Sequence, residues 1–216
     1  MNPENNSPER VRTSLADVAA RAPSADPTRS TYAIDVSGNR QARKWSRGEL
    51  IGRALWEVLR SPLFKWTPRP MWVWRRGVLR LFGAEIGRDV RIHPTARIIV
   101  PWNLRIGDEA TVGDQAILYA LGSITIGPRV TISQNAHLCA GTHDYRRSDM
   151  PLLKTPITIA EGAWVCADAF VGPGVTVGAF SIVGARAVVL KSIPDGVIVG
   201  GNPARILRNR PPTMSS

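Results

Sequence analysis

The sequence predicts a mainly β chain: a parallel β-helix of about five coils, triangular in section, preceded by one or two short helices. Two observations carry this. From Ile86 onward an aliphatic residue returns every six positions, giving fifteen anchors that are all Ile, Leu or Val. The departures from that beat fall only after every third anchor, so the chain counts in threes of six.

The anchors run Ile86, Ile92, Ile98; Ile106, Val112, Leu118; Ile126, Ile132, Leu138; Ile159, Val165, Val171; Val177, Val183, Val189. A short strand and a tight corner take six residues, three sides close a turn, and turns stack at the strand spacing of ~4.8 Å. The anchors then point inward as three columns. Four residues after most anchors comes a small or β-branched residue, as at Ala96, Ala110, Val130, Ala163, Val175 and Ala187, which lets the chain round the corner. Glycine follows many anchors, as at Gly87, Gly107, Gly113 and Gly127, where bulk or φ is restricted.

The steps Ile98–Ile106 and Leu118–Ile126 are each eight residues, and Leu138–Ile159 is twenty-one. These insertions stack at one corner. The third is a long excursion within Cys139–Pro156. Loops of that length on a rigid scaffold concentrate function.

Ahead of the repeats, residues 1–45 lack apolar periodicity and read as a flexible tail. Residues 46–82 read as an amphipathic helical lead-in. Ser46 and Glu49 have capping-box spacing. Ile51, Leu55 and Val58 follow at helical spacing, with Leu50, Ala54 and Leu59 beside them, and Pro62 ends that helix. A second helix starts near Pro70, with Met71, Trp74, Val78 and Leu81 as its stripe, and Gly83 stops it. The β-helix domain spans 83–207, and 208–216 is a C-terminal tail.

Charge is uneven. Of the net +11, residues 1–82 carry +8, from 15 Lys and Arg against 7 Asp and Glu. Trp45, Trp56, Trp66, Trp72 and Trp74 cluster with this basic lead-in. Such helices suit a cap over the open first coil, whose strand groups are otherwise unpaired, or a membrane–water interface. Both can hold on different faces, and no nucleic-acid partner is expected. Two cysteines, Cys139 and Cys166, give no disulfide framework and no metal cluster. They fall on different sides of the prism and are not expected to pair. The N-terminus has no apolar signal region, and no apolar run reaches the ~18–20 residues of a spanning helix. A cytoplasmic protein is expected, peripheral at most on the inner face of the membrane.

The hexads, the stretch GTHDY (Gly141–Tyr145), VPWN (Val100–Asn103) and the ending VGGNPARIL (Val199–Leu207) together resemble the hexapeptide-repeat O-acetyltransferases. Within them the pattern is most similar to the colanic acid biosynthesis branch, with galactoside, maltose and nodulation acetyltransferases as relatives. The resemblance covers roughly Glu49 to Arg208. It implies a left-handed coil, a homotrimer with sites between subunits, acetyl-CoA as donor and a saccharide acceptor, in exopolysaccharide biosynthesis.

Acetyl transfer from a thioester to a hydroxyl needs a base, because an alcohol is a poor nucleophile until its proton leaves. Of the three histidines only His143 lies in the excursion, and the resemblance puts the catalytic base there. His93 and His137 lie in regular hexads and read as structural. Asp144 is a candidate to orient the imidazole or bind the acceptor. For the donor, the resemblance implies Trp164 against the pantetheine arm and Ala167 and Ala185 where the arm meets backbone. It implies Lys191, Arg205 and Arg208 near the phosphates. Leu190 stands where a polar residue is often found. Tyr119 and Tyr145 are candidates for the acceptor pocket, Tyr119 replacing an Asn common in readers of small sugars. No metal site is expected.

Other readings are a non-catalytic β-helix scaffold bound to membrane, a γ-class carbonic anhydrase and a serine acetyltransferase. The second needs three converging zinc histidines. The third needs a larger helical domain before the prism.

Overall fold

The computed structural model describes residues 33–212. The repeats wind into a parallel β-helix with three flat faces. The first face stacks Glu85–Ile86, Leu104–Ile106, Ile124–Ile126, Ile157–Ile159 and Thr176–Val177. The second stacks Arg91–Ile92, Thr111–Val112, Thr131–Ile132, Trp164–Val165, Ile182–Val183 and Val197–Gly200, closed by the antiparallel strand Arg205–Asn209. The third stacks Arg97–Ile98, Ile117–Tyr119, His137–Cys139, Phe170–Val171 and Val188–Val189. Five coils are complete, and Ile193, bridged to Val177, begins a sixth that runs on into Val197–Gly200.

Register follows the hexads. Ile86, Ile106, Ile126, Ile159 and Val177 pair in line on the first face. Equivalent columns run from Ile92 to Val183 and from Ile98 to Val189. All fifteen anchors are buried, as are the corner residues Val90, Ala96, Ala110, Ala116, Val130, Ala136, Ala163, Ala169, Val175, Ser181 and Ala187 four positions later.

The corners refine the expected role of glycine. The turn itself is made three residues after an anchor, where Asp89, Glu109, Gln115, Arg129, Asn135, Asp168, Phe180 and Arg186 all have positive φ. Such backbone costs roughly 1–2 kcal/mol per residue. An inter-coil hydrogen bond accompanies it: Glu109 N–H donates to Arg88 O, Arg129 to Asp108 O, Asn135 to Asp114 O and Arg186 to Ala167 O, each at 2.8–2.9 Å. Glycine after the anchor is needed for space instead. A Cβ on Gly107 would lie 2.6 Å from Pro128 N in the next coil.

The lead-in caps the first coil. Helix α2 (Arg47–Arg60) carries the expected capping box of Ser46 and Glu49, and runs into a π turn, Ser61–Lys65, containing Pro62. Helix α3 is Trp72–Leu81, and Gly83 follows with φ of 84°. The first coil leaves its carbonyls without a coil beneath, and these helices supply the donors. Trp56 Nε1 donates to Ile98 O at 2.7 Å. The guanidinium of Arg75, fully buried, donates to Ile92 O, Thr67 Oγ1 and Pro68 O at 2.7–2.8 Å and also to Arg69 O. Arg76 reaches Val90 O, and Arg80 reaches Ile86 O and Gly87 O. Phe64 and Phe82 pack edge-on against Trp56, with centroids 6.1 and 5.0 Å away.

Two expectations change. The stripe Ile51, Leu55 and Val58 does not pack inward: these side chains are 62, 52 and 72% exposed. The inner face of α2 is instead Gly52 and Trp56, because Gly52 abuts the Trp102 ring and the Trp56 indole combines bulk with a donor for the coil edge. In α3, Val78 is buried as expected, but Leu81 is 80% exposed and Arg75 and Leu79 take the inner positions. The other change concerns the tail. Its residues 1–32 lie outside the described residues, but Val36–Gln41 is a helix, α1, capped by Asp35, whose N–H donates to Ser148 O at 2.7 Å. That segment is docked on the excursion rather than loose.

Ile126→Ala should lower unfolding free energy by about 2–5 kcal/mol, the cost of a cavity in a packed column. Ile51→Ala should stay within about 0.5 kcal/mol, as exposed substitutions do. Denaturant unfolding of the two variants checks this.

Candidate functional site

The three insertions stack at the corner between the third and first faces, and they build a pedestal. In the lowest, Asn103 Nδ2 donates to Ala120 O and Leu121 O, both at 3.0 Å. In the middle one, Gly122 N–H donates to Ala140 O at 2.8 Å. A Cβ on Gly122 would lie 2.6 Å from Thr155 O, so glycine is required for the excursion to settle there. The excursion rises as an antiparallel pair, Thr142–His143 against Leu152–Leu153. Asp144 N–H donates to Pro151 O, tying off the next position.

His143 is exposed at the tip of this pair, and its Nδ1 lies 2.6 Å from Met150 O. A carbonyl only accepts, so Nδ1 carries the proton and Nε2 presents a lone pair. That is the arrangement a general base needs. Asp144 does not orient the imidazole. Its carboxylate takes Arg146 Nε at 2.9 Å and the Arg146 N–H at 3.1 Å. The Arg146 side chain, with its amide, holds Asp144 below the usual carboxylate range. The cause is local: Asp144 follows the end of the strand, and its carboxylate closes on Arg146 two residues later. The orienting group is the Met150 carbonyl, which no sequence motif marks because every residue has one. Tyr145 is 85% exposed at the loop tip.

Tyr119 sits on the third face, opposite Cys139 in register and directly below the root of the excursion. Its ring meets His137 edge-on at 6.3 Å, and His137 meets Phe170 at 5.3 Å. Inside this column His137 Nε2 is buried without a partner. Burial, and secondarily the charge of Arg97, pushes the His137 pKa down. His93 is engaged elsewhere, with Nδ1 3.1 Å from Asp114 and its ring on Trp72. The three histidines thus occupy the second face, the third face and the excursion. Cys139 and Cys166 are free thiols.

The donor candidates lie apart from His143. Trp164 projects from the second face, with Nε1 donating to Ser133 Oγ at 2.9 Å. Ala167 and Ala185 lie at successive levels of the corner between the second and third faces, Ala167 giving its carbonyl to Arg186 N–H. Lys191 and Arg205 line a groove of about 580 Å³ at the C-terminal end, with Leu190, Ser192, Pro203 and Ile206. Arg208 lies on the closing strand, paired with Ile198. In a triangular section, the corner between the third and first faces is opposite the second face. One chain therefore brings Tyr119 and His143 to one corner and sets Trp164 across the prism from them.

His137 binds its proton less readily folded than unfolded. The unfolded chain therefore takes up more protons as pH falls through about 6.5, and stability is lost there, by up to ~1.4 kcal/mol per pH unit. His137→Asn should flatten the stability profile between pH 7 and 5, measured by urea unfolding at each pH.

No protein-family model matches the sequence. The chain is 44% identical over 176 residues to WcaF of Escherichia coli (strain K12), assigned by name to acetyl transfer in colanic acid biosynthesis. The match covers 82% of this chain and 97% of that protein. It is 28% identical over 140 residues to galactoside O-acetyltransferase of Escherichia coli (strain K12), covering 62% of this chain and 68% of that protein. Among solved structures, the hexapeptide-repeat acetyltransferase VCA0836 of Vibrio cholerae O1 biovar eltor, complexed with acetyl coenzyme A, matches with a TM-score of 0.70. Identity there is 26%, over 79% of this chain and 93% of that one. The hexad columns, the corner excursion with its histidine and the near full-length likeness to WcaF agree: this chain belongs to the hexapeptide-repeat acetyltransferases, in the colanic acid biosynthesis branch.

Proposed function

We propose that this protein transfers an acetyl group from acetyl-CoA to a hydroxyl of a saccharide, in exopolysaccharide biosynthesis. The observation that carries the reading is His143, held through Nδ1–H by Met150 O with Nε2 free at an exposed corner. The base takes the hydroxyl proton, and the oxygen attacks the thioester carbonyl. The C–S bond breaks, and CoA leaves as the thiol. Backbone amides at a coil corner are the donors available to the oxyanion.

The donor is read along the second face, its pantetheine arm on Trp164, Ala167 and Ala185 and its phosphates toward Lys191, Arg205 and Arg208. Tyr119 and Tyr145 are read as flanking the acceptor. Because His143 and Trp164 stand opposite one another in one chain, the reading requires a second copy, and three-fold packing of a three-sided prism supplies it. A homotrimer with sites between neighbours follows. His143→Ala should lower acceptor-dependent CoA release about 10²–10⁴-fold, the usual worth of a general base, with the KM for acetyl-CoA nearly unchanged. Wild-type release by this variant across an oligosaccharide panel would overturn the base assignment.

A second reading concerns the lead-in. Among the described residues no helix is long and apolar enough to cross a membrane. Three arginines of α3 are committed to the coil edge, yet Ile51, Leu55, Val58, Trp66, Val73 and Leu81 remain exposed together with Arg47 and Lys65. An apolar face with cationic neighbours favours peripheral contact with anionic lipid, read here as the cytoplasmic leaflet. Sedimentation with anionic vesicles should fall at least several-fold in the double variant Ile51→Glu, Val58→Glu. Equal sedimentation of variant and wild type would remove the lipid contact.

A further inference from the structure

Helix α1 buries none of its residues, so apolar packing does not hold it in place. Its contacts are polar and go to residues 148–150, in the turn just before the returning strand of the excursion. Asp35 N–H donates to Ser148 O, and Asn39 Nδ2 donates to both Asp149 O and Met150 O at 2.6 Å. The second of these is the same carbonyl that holds His143. A carbonyl oxygen has two lone pairs. Here one takes the imidazole and the other takes the Asn39 amide.

We infer that Asn39 is a positioning residue for His143, clamping from the N-terminal segment the carbonyl that fixes the imidazole. The inference rests on the reading of His143 as the base. Asn39 bridges two consecutive carbonyls and so turns both to one side. That arrangement bends the backbone, and Met150 has φ of 38°, in the left-handed region that a non-glycine residue adopts only when its surroundings enforce it. The amide is itself oriented. Lys44 Nζ donates to Asn39 Oδ1 at 2.7 Å, so the oxygen faces the ammonium and the NH2 faces the loop. Lys44 in turn is tied by sequence to α2, whose Glu49 lies 3.7 Å from Lys154 at the foot of the excursion. The segment ahead of the repeats thus holds the returning half of the excursion at Ser148, Asp149, Met150 and Lys154, with no contact to the reacting groups.

The test is Asn39→Asp, which keeps the shape, removes both N–H donors and sets a carboxylate against two carbonyls. Imidazole ¹⁵N spectra of the full-length protein need no acceptor, and His143→Ala identifies the signal. The wild type should show His143 in the Nδ1–H tautomer, and Asn39→Asp should show a mixture of tautomers with an unchanged melting temperature. Turnover should fall about 10-fold, within the range that ~1 Å misplacement of a catalytic group costs, with KM for acetyl-CoA within about two-fold of wild type. An unchanged His143 tautomer in Asn39→Asp overturns the clamp, whatever the turnover. If His143→Ala turns over like wild type, the base reading itself falls. If that variant is inactive while Asn39→Asp is spectroscopically wild type, only the clamp falls.

Discussion

Everything in this molecule depends on the vertical register between coils. Each anchor lies over the anchor of the coil before, and most left-handed corner residues return their N–H to a carbonyl of that coil, Gln115 donating to the Thr95 hydroxyl instead. The spacing leaves no slack. Glycines follow the anchors because a single Cβ would strike the backbone above, as at Gly107 and Gly127. An inserted residue in mid-face would shift every later anchor off its column. Extra chain is tolerated only at a corner, and an insertion at one level offers carbonyls and space to an insertion at the next. The links from Asn103 to Ala120 and from Gly122 to Ala140 are that relationship in hydrogen bonds.

The same ladder creates the problem the lead-in solves. A solenoid ends in a row of unpaired strand groups, and the lower end here is a row of carbonyls. Arginine is suited to such an edge, with five donors on one planar head. Arg75, Arg76 and Arg80 on α3, with Trp56 on α2, reach Ile92, Val90, Ile86 and Ile98 in turn. The basic and tryptophan-rich composition of this segment is therefore largely structural. What it leaves unexplained is the apolar face that α2 turns outward, which is where a lipid contact finds its support.

Acetyl transfer needs a base, a donor pocket and an acceptor pocket in one place, and a single prism keeps the residues proposed for them apart. The triangular section sets the third–first corner opposite the second face. A rigid scaffold cannot fold over to join them, which is why the proposed reading calls on a neighbouring copy. A histidine on a loop, as the proposed base is, also needs restraint that the ladder does not give, because the excursion has left it. The antiparallel pairing at Thr142–Leu153, the carbonyl of Met150 and the side chain of Asn39 supply that restraint locally.

The sequence by itself determined the coil, its three columns, the corner of the insertions and the place of His143. These follow from a period, and a period is written in side-chain type. The resemblance carried by GTHDY and VGGNPARIL named the chemistry, and the likeness to WcaF bears out the family. Tertiary structure decided the rest. Ile51, Leu55 and Val58 satisfy a helical stripe, but helical spacing does not say which face a helix turns to its partner, and the coil edge selected Trp56 for its indole N–H. The pairing of His143 with Met150 O, and of that carbonyl with Asn39 more than a hundred residues earlier, uses backbone oxygens that no residue type advertises. Periodicity is local and survives in one dimension; which donor meets which carbonyl is settled only when the chain is folded in three.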